Sequence, residues 1–155
     1  MNNIETESIV TSVLDSRWMP CRRKGGLLSH LRRGGRMQFV SGIDTSAGRL
    51  PVVINVHPKA ETLEMTGCLP ERYSAKEWEK VCRIILPRRN GSPSGMPACK
   101  GGFVLSRESG LVGYCISVDY AGHGLGEDTV SYCLDQVIRH LGHLRLMMAS
   151  GVDEQ

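Results

Sequence analysis

Residues 37–69, MQFVSGIDTSAGRLPVVINVHPKAETLEMTGCL, decide the fold class, because short runs of strand-forming residues alternate there with turn-forming residues. Met37 to Ile43 predicts a first strand, and Leu50 to His57 predicts a second strand that is rich in β-branched side chains. Thr62 to Leu69 alternates apolar and polar residues, which is typical of a strand with one buried face. The stretch therefore predicts a three-stranded antiparallel meander.

Helices and a second hairpin are predicted on both sides of this meander. Ser74 and Glu77 form a capping-box pattern, which favours the start of a helix. The sequence thus predicts an α+β fold with an antiparallel five-stranded sheet and helices packed on it, in the order helix-β-β-β-helix-β-β-helix. The predicted helices are 4–16, 74–86 and 127–149, and the predicted strands are 37–43, 50–57, 62–69, 103–106 and 112–120.

A proline- and glycine-rich stretch, residues 87–102, separates the second helix from the fourth strand. It contains three prolines and four glycines, residues that interrupt regular structure. We expect a flexible loop inserted into a single domain that spans residues 1–155. The first residues contain no basic or apolar signal region, and no apolar run approaches about 20 residues, so we expect a cytoplasmic protein without a membrane segment.

The last predicted helix carries an apolar seam along its length. Its members recur at alternating spacings of four and three residues, which places them on one side of a helix. Such a seam needs an apolar partner, and two partners fit: the sheet of the same chain, or the same helix of a second copy, which Gly142 would allow to approach closely. The seam consists of Val130, Leu134, Val137, Leu141, Leu144 and Met148.

The charge distribution is uneven. The chain has a net charge of +3, but residues 17–36 contain seven basic residues and no acidic one. The remaining 12 basic and 16 acidic residues give the rest of the chain a net charge of −4. Clustered basic residues are typical of phosphate-backbone binding, although a solvated basic loop has the same composition. The nucleic-acid alternative rests on Arg22, Arg23, Lys24, Arg32, Arg33 and Arg36, in the segment that begins at Arg17.

No catalytic or metal-binding signature stands out. The six cysteines are scattered without a C-x-x-C pair, which favours buried, reduced thiols. His140 and His143 are interpreted as a surface pair, and the glycine-rich residues 122–126 as a strand-to-helix turn. A dispersed site around Cys115, His123 and Glu127 is the remaining enzymatic hypothesis, and it has the least support. We expect no cofactor and no metal.

The order of elements resembles that of the YbjN-like family and of type III secretion chaperones, which are bacterial. The resemblance is carried by Leu50-Pro51-Val52-Val53-Ile54-Asn55-Val56, by residues 63–69 running into the capped helix at Ser74, and by residues 103–120 leading into the long helix. It implies a cytoplasmic, homodimeric protein with a binding role and no catalytic motif.

Together these patterns favour a non-catalytic protein-binding module, chaperone-like or regulatory. We expect it to bind a partner protein of unspecified identity through an apolar sheet or helix surface, with the seam of the last helix as the candidate contact. The alternative is a nucleic-acid-associated regulator that uses the segment from Arg17 to Arg36.

Overall fold

The computed structural model describes residues 3–24, 36–45, 48–85 and 99–153. Within these ranges the chain forms three helices and six strands, and the α+β prediction is confirmed. The helices are α1 (Asn3–Ser16), α2 (Trp78–Ile85) and α3 (Glu127–Asp153), and the strands are β1 (Arg22–Lys24), β2 (Met37–Thr45), β3 (Gly48–His57), β4 (Thr62–Arg72), β5 (Cys99–Leu105) and β6 (Leu111–Asp119).

All six strands belong to one antiparallel sheet in the order β1-β2-β3-β4-β6-β5. The prediction of five strands missed β1, a three-residue strand in the basic segment that pairs with β2 from Arg22 opposite Val40 to Lys24 opposite Gln38. Arginine and lysine are not strand-forming residues, so the pairing with β2 determines this strand and local propensity does not.

Helix α3 lies across the middle of the sheet, on β4 and β6, and contacts α1 and α2. We call the sheet face beneath α3 the inner face and the opposite face the outer face. Gly67 of β4 makes the close approach possible, because a Cβ atom at this position would stand 2.5 Å from Cγ1 of Val137 and 2.7 Å from Cδ1 of Leu141. The main hydrophobic core therefore fills the space between α3 and the inner face.

Alternation along the strands determines which residues enter this core. In β6, Tyr114, Ile116 and Val118 are buried, whereas Asp119 is exposed and Cys115 is partly exposed. This two-residue period follows from the pleat of the strand.

Several element boundaries differ from the prediction, and the start of β5 is one of them. Strand β5 begins at Cys99, so the last four residues of the predicted loop 87–102 are part of the sheet. Gly101 and Gly102 lack the side chains that mark a strand, but Gly101 is buried beneath the Tyr114 ring, where any Cβ atom would clash with the phenol oxygen. The remainder of the predicted loop lies outside the described residues.

One half of the capping box predicted at Ser74 is present, because the Glu77 side chain reaches back to Ser74, whereas the Glu77 N–H donates to the Ser74 carbonyl and not to its hydroxyl. Ser74 donates hydrogen bonds from its backbone N–H and its hydroxyl to the Glu77 carboxylate, at 3.1 and 3.0 Å. Residues 75–77 form a turn, and the α-helix itself begins at Trp78. Of the helices in the described ranges, none is long and apolar enough to cross a membrane.

Candidate partner-binding surfaces

The apolar seam of α3 packs on the sheet of its own chain. All six seam residues are buried, and the most exposed of them, Met148, is only 4% exposed. The own-sheet alternative therefore describes their packing, and a partner in contact with them would have to displace α3 from the inner face. The buried seam residues are Val130, Leu134, Val137, Leu141, Leu144 and Met148.

In the described part of the basic segment, some side chains form ion pairs within the chain and others are exposed to solvent. Arg17 lies 2.7 Å from the Asp135 carboxylate, and Arg23 lies 2.7 Å from the Glu7 carboxylate. Arg22 is exposed on the edge strand β1, and Arg36 is partly exposed before β2. Lys24 ends β1, whereas Arg32 and Arg33 lie outside the described residues. The structure thus brings Arg22 and Arg23 onto the sheet edge, and it occupies Arg17 and Arg23 with carboxylates.

The outer face presents an uncharged row of residues across five neighbouring strands. Cross-strand partners lie on the same face of a sheet, so the register itself connects them. Val40 lies opposite Val53, Val53 opposite Thr66, Thr66 opposite Cys115, and Cys115 opposite Gly102. We call these five residues the outer row. Each of them is partly exposed, and no side chain in the row carries a formal charge at neutral pH.

The surroundings of the outer row are neutral on one side and polar on the other. Gly113 lies opposite Cys68 and Val104, which extends the uncharged area, and Val104 is 39% exposed. On the other side, Ser117 lies opposite Glu64 and Lys100, and at the β1 end of the row the exposed Arg22 lies opposite Val40, so charges border the row in both places. An apolar centre with a polar margin is the usual arrangement of a protein–protein interface.

The thiols of the outer face are not activated. Burial raises the pKa of Cys115, and a hydrogen bond with Thr66 offsets part of that increase. The pKa of Cys68 is raised by burial and then by the neighbouring Cys115. Because the thiolate is the nucleophile, these directions keep both side chains in their neutral, apolar form.

The hypothetical group of Cys115, His123 and Glu127 is not assembled. Cys115 projects from the outer face, whereas Glu127 begins α3 on the inner side of the sheet. His123 is exposed in the turn after β6, where its backbone N–H donates to the Tyr120 carbonyl. Across the described ranges, no group of three or more His, Cys, Asp and Glu side chains lies close enough to bind a metal ion.

The histidines of α3 differ from the predicted surface pair. His143 is exposed, but His140 is only partly exposed because its ring stacks on Tyr114 with centroids 4.0 Å apart and planes within 6°. Phe103 meets both rings edge-on. Interpretation from helical spacing alone missed this cluster, since Phe103 and Tyr114 come from strands whose distance from α3 only the tertiary structure determines.

Trp18 is the most exposed large apolar side chain in the described part of the chain, at 93%. It follows α1 with a positive φ of 58°, a conformation that glycine usually supplies at the end of a helix. Its N–H donates to the Asp15 carbonyl and the next N–H, of Met19, donates to the Leu14 carbonyl. The chain therefore places a bulky aromatic residue at a position where both solvent exposure and backbone conformation disfavour it.

Sequence reasoning did not identify the outer row, although part of its signal is present in the sequence. The alternation of residues 62–69 already predicts that the Thr66 side chain lies on the face of β4 away from the buried side chains. What the sequence lacks is the register, because Val40, Val53 and Cys115 align with Thr66 only after the strands have paired.

Comparison of the chain with protein-family models, with curated proteins and with solved structures finds no match.

Proposed function

We propose that this chain is a non-catalytic protein-binding module, chaperone-like or regulatory, that works as a homodimer joined through the outer face of its sheet. The observation that carries the proposal is the outer row, five partly exposed and uncharged positions that cross five strands in register. A continuous neutral surface of this kind is stabilised by contact with another protein surface, because its valine side chains leave water.

The size of the outer face supports this assignment. Strands β2 to β6 contain 7 to 11 residues each, so the face measures about 30 Å by 24 Å at ~3.3 Å per residue and ~4.8 Å per strand. The resulting area is on the order of 700 Å², close to the ~800 Å² that each partner contributes to a standard interface.

A second copy of the chain is the occupant that fits this face best. A neutral sheet face packs well on another sheet face, with the two sheets about 10 Å apart. Every copy of this chain supplies such a face, and its uncharged centre contains nothing that repels itself. Gly102 and Gly113 have no side chain that projects from the outer face, so another surface can approach the backbone closely there.

The test is sedimentation equilibrium of the wild-type chain and of two charge variants. We expect the wild type to sediment at twice its 17.1 kDa chain mass. Val53→Lys and Thr66→Lys place a charge in the outer row and should shift the protein to monomer, since an unpaired charge in an apolar interface is strongly unfavourable. Leu146→Lys is the matched control, because Leu146 is 71% exposed on α3, and it should leave the dimer unchanged.

A wild-type chain that is monomeric at high concentration would exclude the second copy as the occupant. The wild type and Val53→Lys are then compared in cross-linking from lysate. A protein partner that is lost with Val53→Lys but retained with Leu146→Lys would assign the face to another protein. A monomer that captures nothing in a face-dependent way would refute the binding module altogether.

Nucleic-acid binding is the second proposal, and one observation favours it: Arg22 is exposed on β1 in the basic segment. The ion pairs of Arg17 and Arg23 reduce the charge available for phosphates. Binding that weakens steeply with salt and that Arg22→Glu reduces would support it. Cytoplasmic localisation is also a proposal, supported by six free thiols, which a reducing compartment maintains.

A further inference from the structure

A groove of about 410 Å³ lies between α3 and β5, away from the outer face. The described side chains that line it are Phe103, Arg139, His140 and His143. Its volume is in the range of small-molecule sites. Three of the four lining residues carry nitrogen atoms that can hold a positive charge, and none is acidic.

His140 is held in a fixed orientation at the wall of this groove. Its ring lies parallel to the buried Tyr114 ring at 4.0 Å, and Phe103 meets it edge-on at 6.0 Å. Nδ1 of His140 lies 2.7 Å from the backbone carbonyl oxygen of Gln136. A carbonyl oxygen only accepts hydrogen bonds, so Nδ1 carries the hydrogen. Nε2 is consequently the ring nitrogen available to a ligand, as an acceptor in the neutral ring and a donor in the protonated ring.

Arg139 and His143 add two exposed groups on the same side of α3. They are four residues apart, and His143 is three residues from His140, which places neighbouring side chains on one helix face. None of the ion pairs between described residues uses Arg139. The acidic side chains of α3 lie at positions 127, 128, 135 and 153, so residues 136–152 of the helix contain no carboxylate.

We propose that this groove binds a small oxyanion, a carboxylate or a phosphate, that is attached to a planar ring. Arg139 supplies the permanent charge and the planar donor set that suits oxyanions. His143 and Nε2 of His140 supply further donors when protonated. The partly exposed ring of His140, which the buried Tyr114 and Phe103 hold in place, offers the aromatic surface against which a planar ligand packs. This site does not depend on the proposed dimer, because it lies on the helix side of the sheet.

The test uses phenyl phosphate and benzoate as ligands, titrated into the folded chain while its ring protons are followed by NMR. We expect saturable shifts in the resonances of His140, His143 and Phe103, and weaker binding of inorganic phosphate, which lacks the ring. Benzylamine has the ring with the opposite charge, so it should cause no such shifts. Whichever of phenyl phosphate and benzoate binds more tightly indicates whether the groove prefers a phosphate or a carboxylate.

Three variants locate the binding. Arg139→Gln and His143→Gln are exposed changes and should each weaken binding of phenyl phosphate about tenfold, as expected for one lost charge-assisted hydrogen bond. His140→Phe retains a ring on Tyr114 but removes Nε2, and it should weaken binding to a similar extent. His123→Gln and Arg22→Gln are the matched controls in exposed positions elsewhere, and they should bind like the wild type.

Several results would overturn the proposal. These are phenyl phosphate binding that is unchanged in Arg139→Gln and His143→Gln, benzylamine binding as tightly as phenyl phosphate, or inorganic phosphate binding as tightly as phenyl phosphate. Absence of any shift at about 1 mM ligand, where a binding free energy near 4 kcal/mol gives half-saturation, would also overturn it. The monomer produced by Val53→Lys should bind phenyl phosphate normally, so failure of the dimer and failure of this site are separate results.

Discussion

The inner and outer faces of the sheet differ in the size and the burial of their side chains. On the inner face, alternate strand residues are large and fully buried beneath α3, as Ile54, Met65 and Ile116 are. On the outer face, the residues of the outer row are small, uncharged and only partly buried, as Val53, Thr66 and Cys115 are. The comparison teaches that the inner face holds the fold together, whereas the outer face contributes little to it and is available for contact with another protein.

The largest effect should follow from removing volume beneath α3. Leu141→Ala leaves a cavity in the fully buried seam and should lower the free energy of unfolding by about 2–5 kcal/mol. Val53→Ala on the outer face removes a partly exposed side chain and should cost less than about 1 kcal/mol in the monomer. Urea denaturation of both variants measures the contrast, and equal losses would show that the outer face is also part of the core.

Two glycine substitutions test the same contrast between a buried and an exposed position, with smaller expected effects on stability. Gly67→Ala introduces a methyl group against Val137 and Leu141, and overpacking of this kind should cost about 1–3 kcal/mol. Gly142→Ala lies on the exposed side of α3, where nothing stands within 4 Å of the new atom, and it should stabilise the helix by about 0.5–1 kcal/mol. Thermal unfolding of the pair would contradict this account if both changes had the same sign.

Alkaline pH should lower the free energy of unfolding through the buried thiol of Cys133. Burial raises the pKa of Cys133 from 9.0 to about 12, with Cys99 adding to the shift. Between these values the unfolded chain loses the thiol proton while the folded chain keeps it, so this contribution to stability is complete below pH 9 and declines as pH rises towards 12. By pH 10 the loss should reach about 1 kcal/mol.

The measurement is urea denaturation at pH 8 and pH 10. Cys133→Val should show a smaller decrease between the two pH values than the wild type, because the titrating group is gone. Tyr114, whose pKa burial raises to about 12, remains in both proteins, and its contribution to the two slopes is similar because Cys133 is only a minor cause of that increase. Identical slopes would show that the thiol is not protected in the folded state.

A similarly small effect should come from Trp18, which departs from the rule that large apolar side chains are buried. Trp18→Gly relieves the positive φ of 58° and removes a side chain that is 93% exposed. The relief of roughly 1–2 kcal/mol is partly offset by the greater freedom of glycine in the unfolded chain, so a gain of about 0.5–1 kcal/mol is expected. Differential scanning calorimetry checks the sign, and a clear loss of stability would mean that the indole ring packs in solution.

Much of the architecture could be predicted because its signals are local. The capping box at Ser74 and Glu77, the alternation in residues 62–69 and the apolar seam of α3 each lie within one element. Strand β1 could not be predicted in this way, since its arginines and lysine pair with β2 against their own preference. The candidate sites depend on pairing and packing between elements distant in sequence, so only fragments of them are visible in the chain.

The sequence by itself determined the α+β class, the order of most elements and the apolar faces of β4 and α3, because these follow from periodicity and turn chemistry. Only the tertiary structure decided that the seam of α3 lies on its own sheet, that Val40, Val53, Thr66, Cys115 and Gly102 form one row, and that His140 stacks on Tyr114. The physical reason is that register and helix placement are set by contacts between distant segments, and local sequence does not encode these distances.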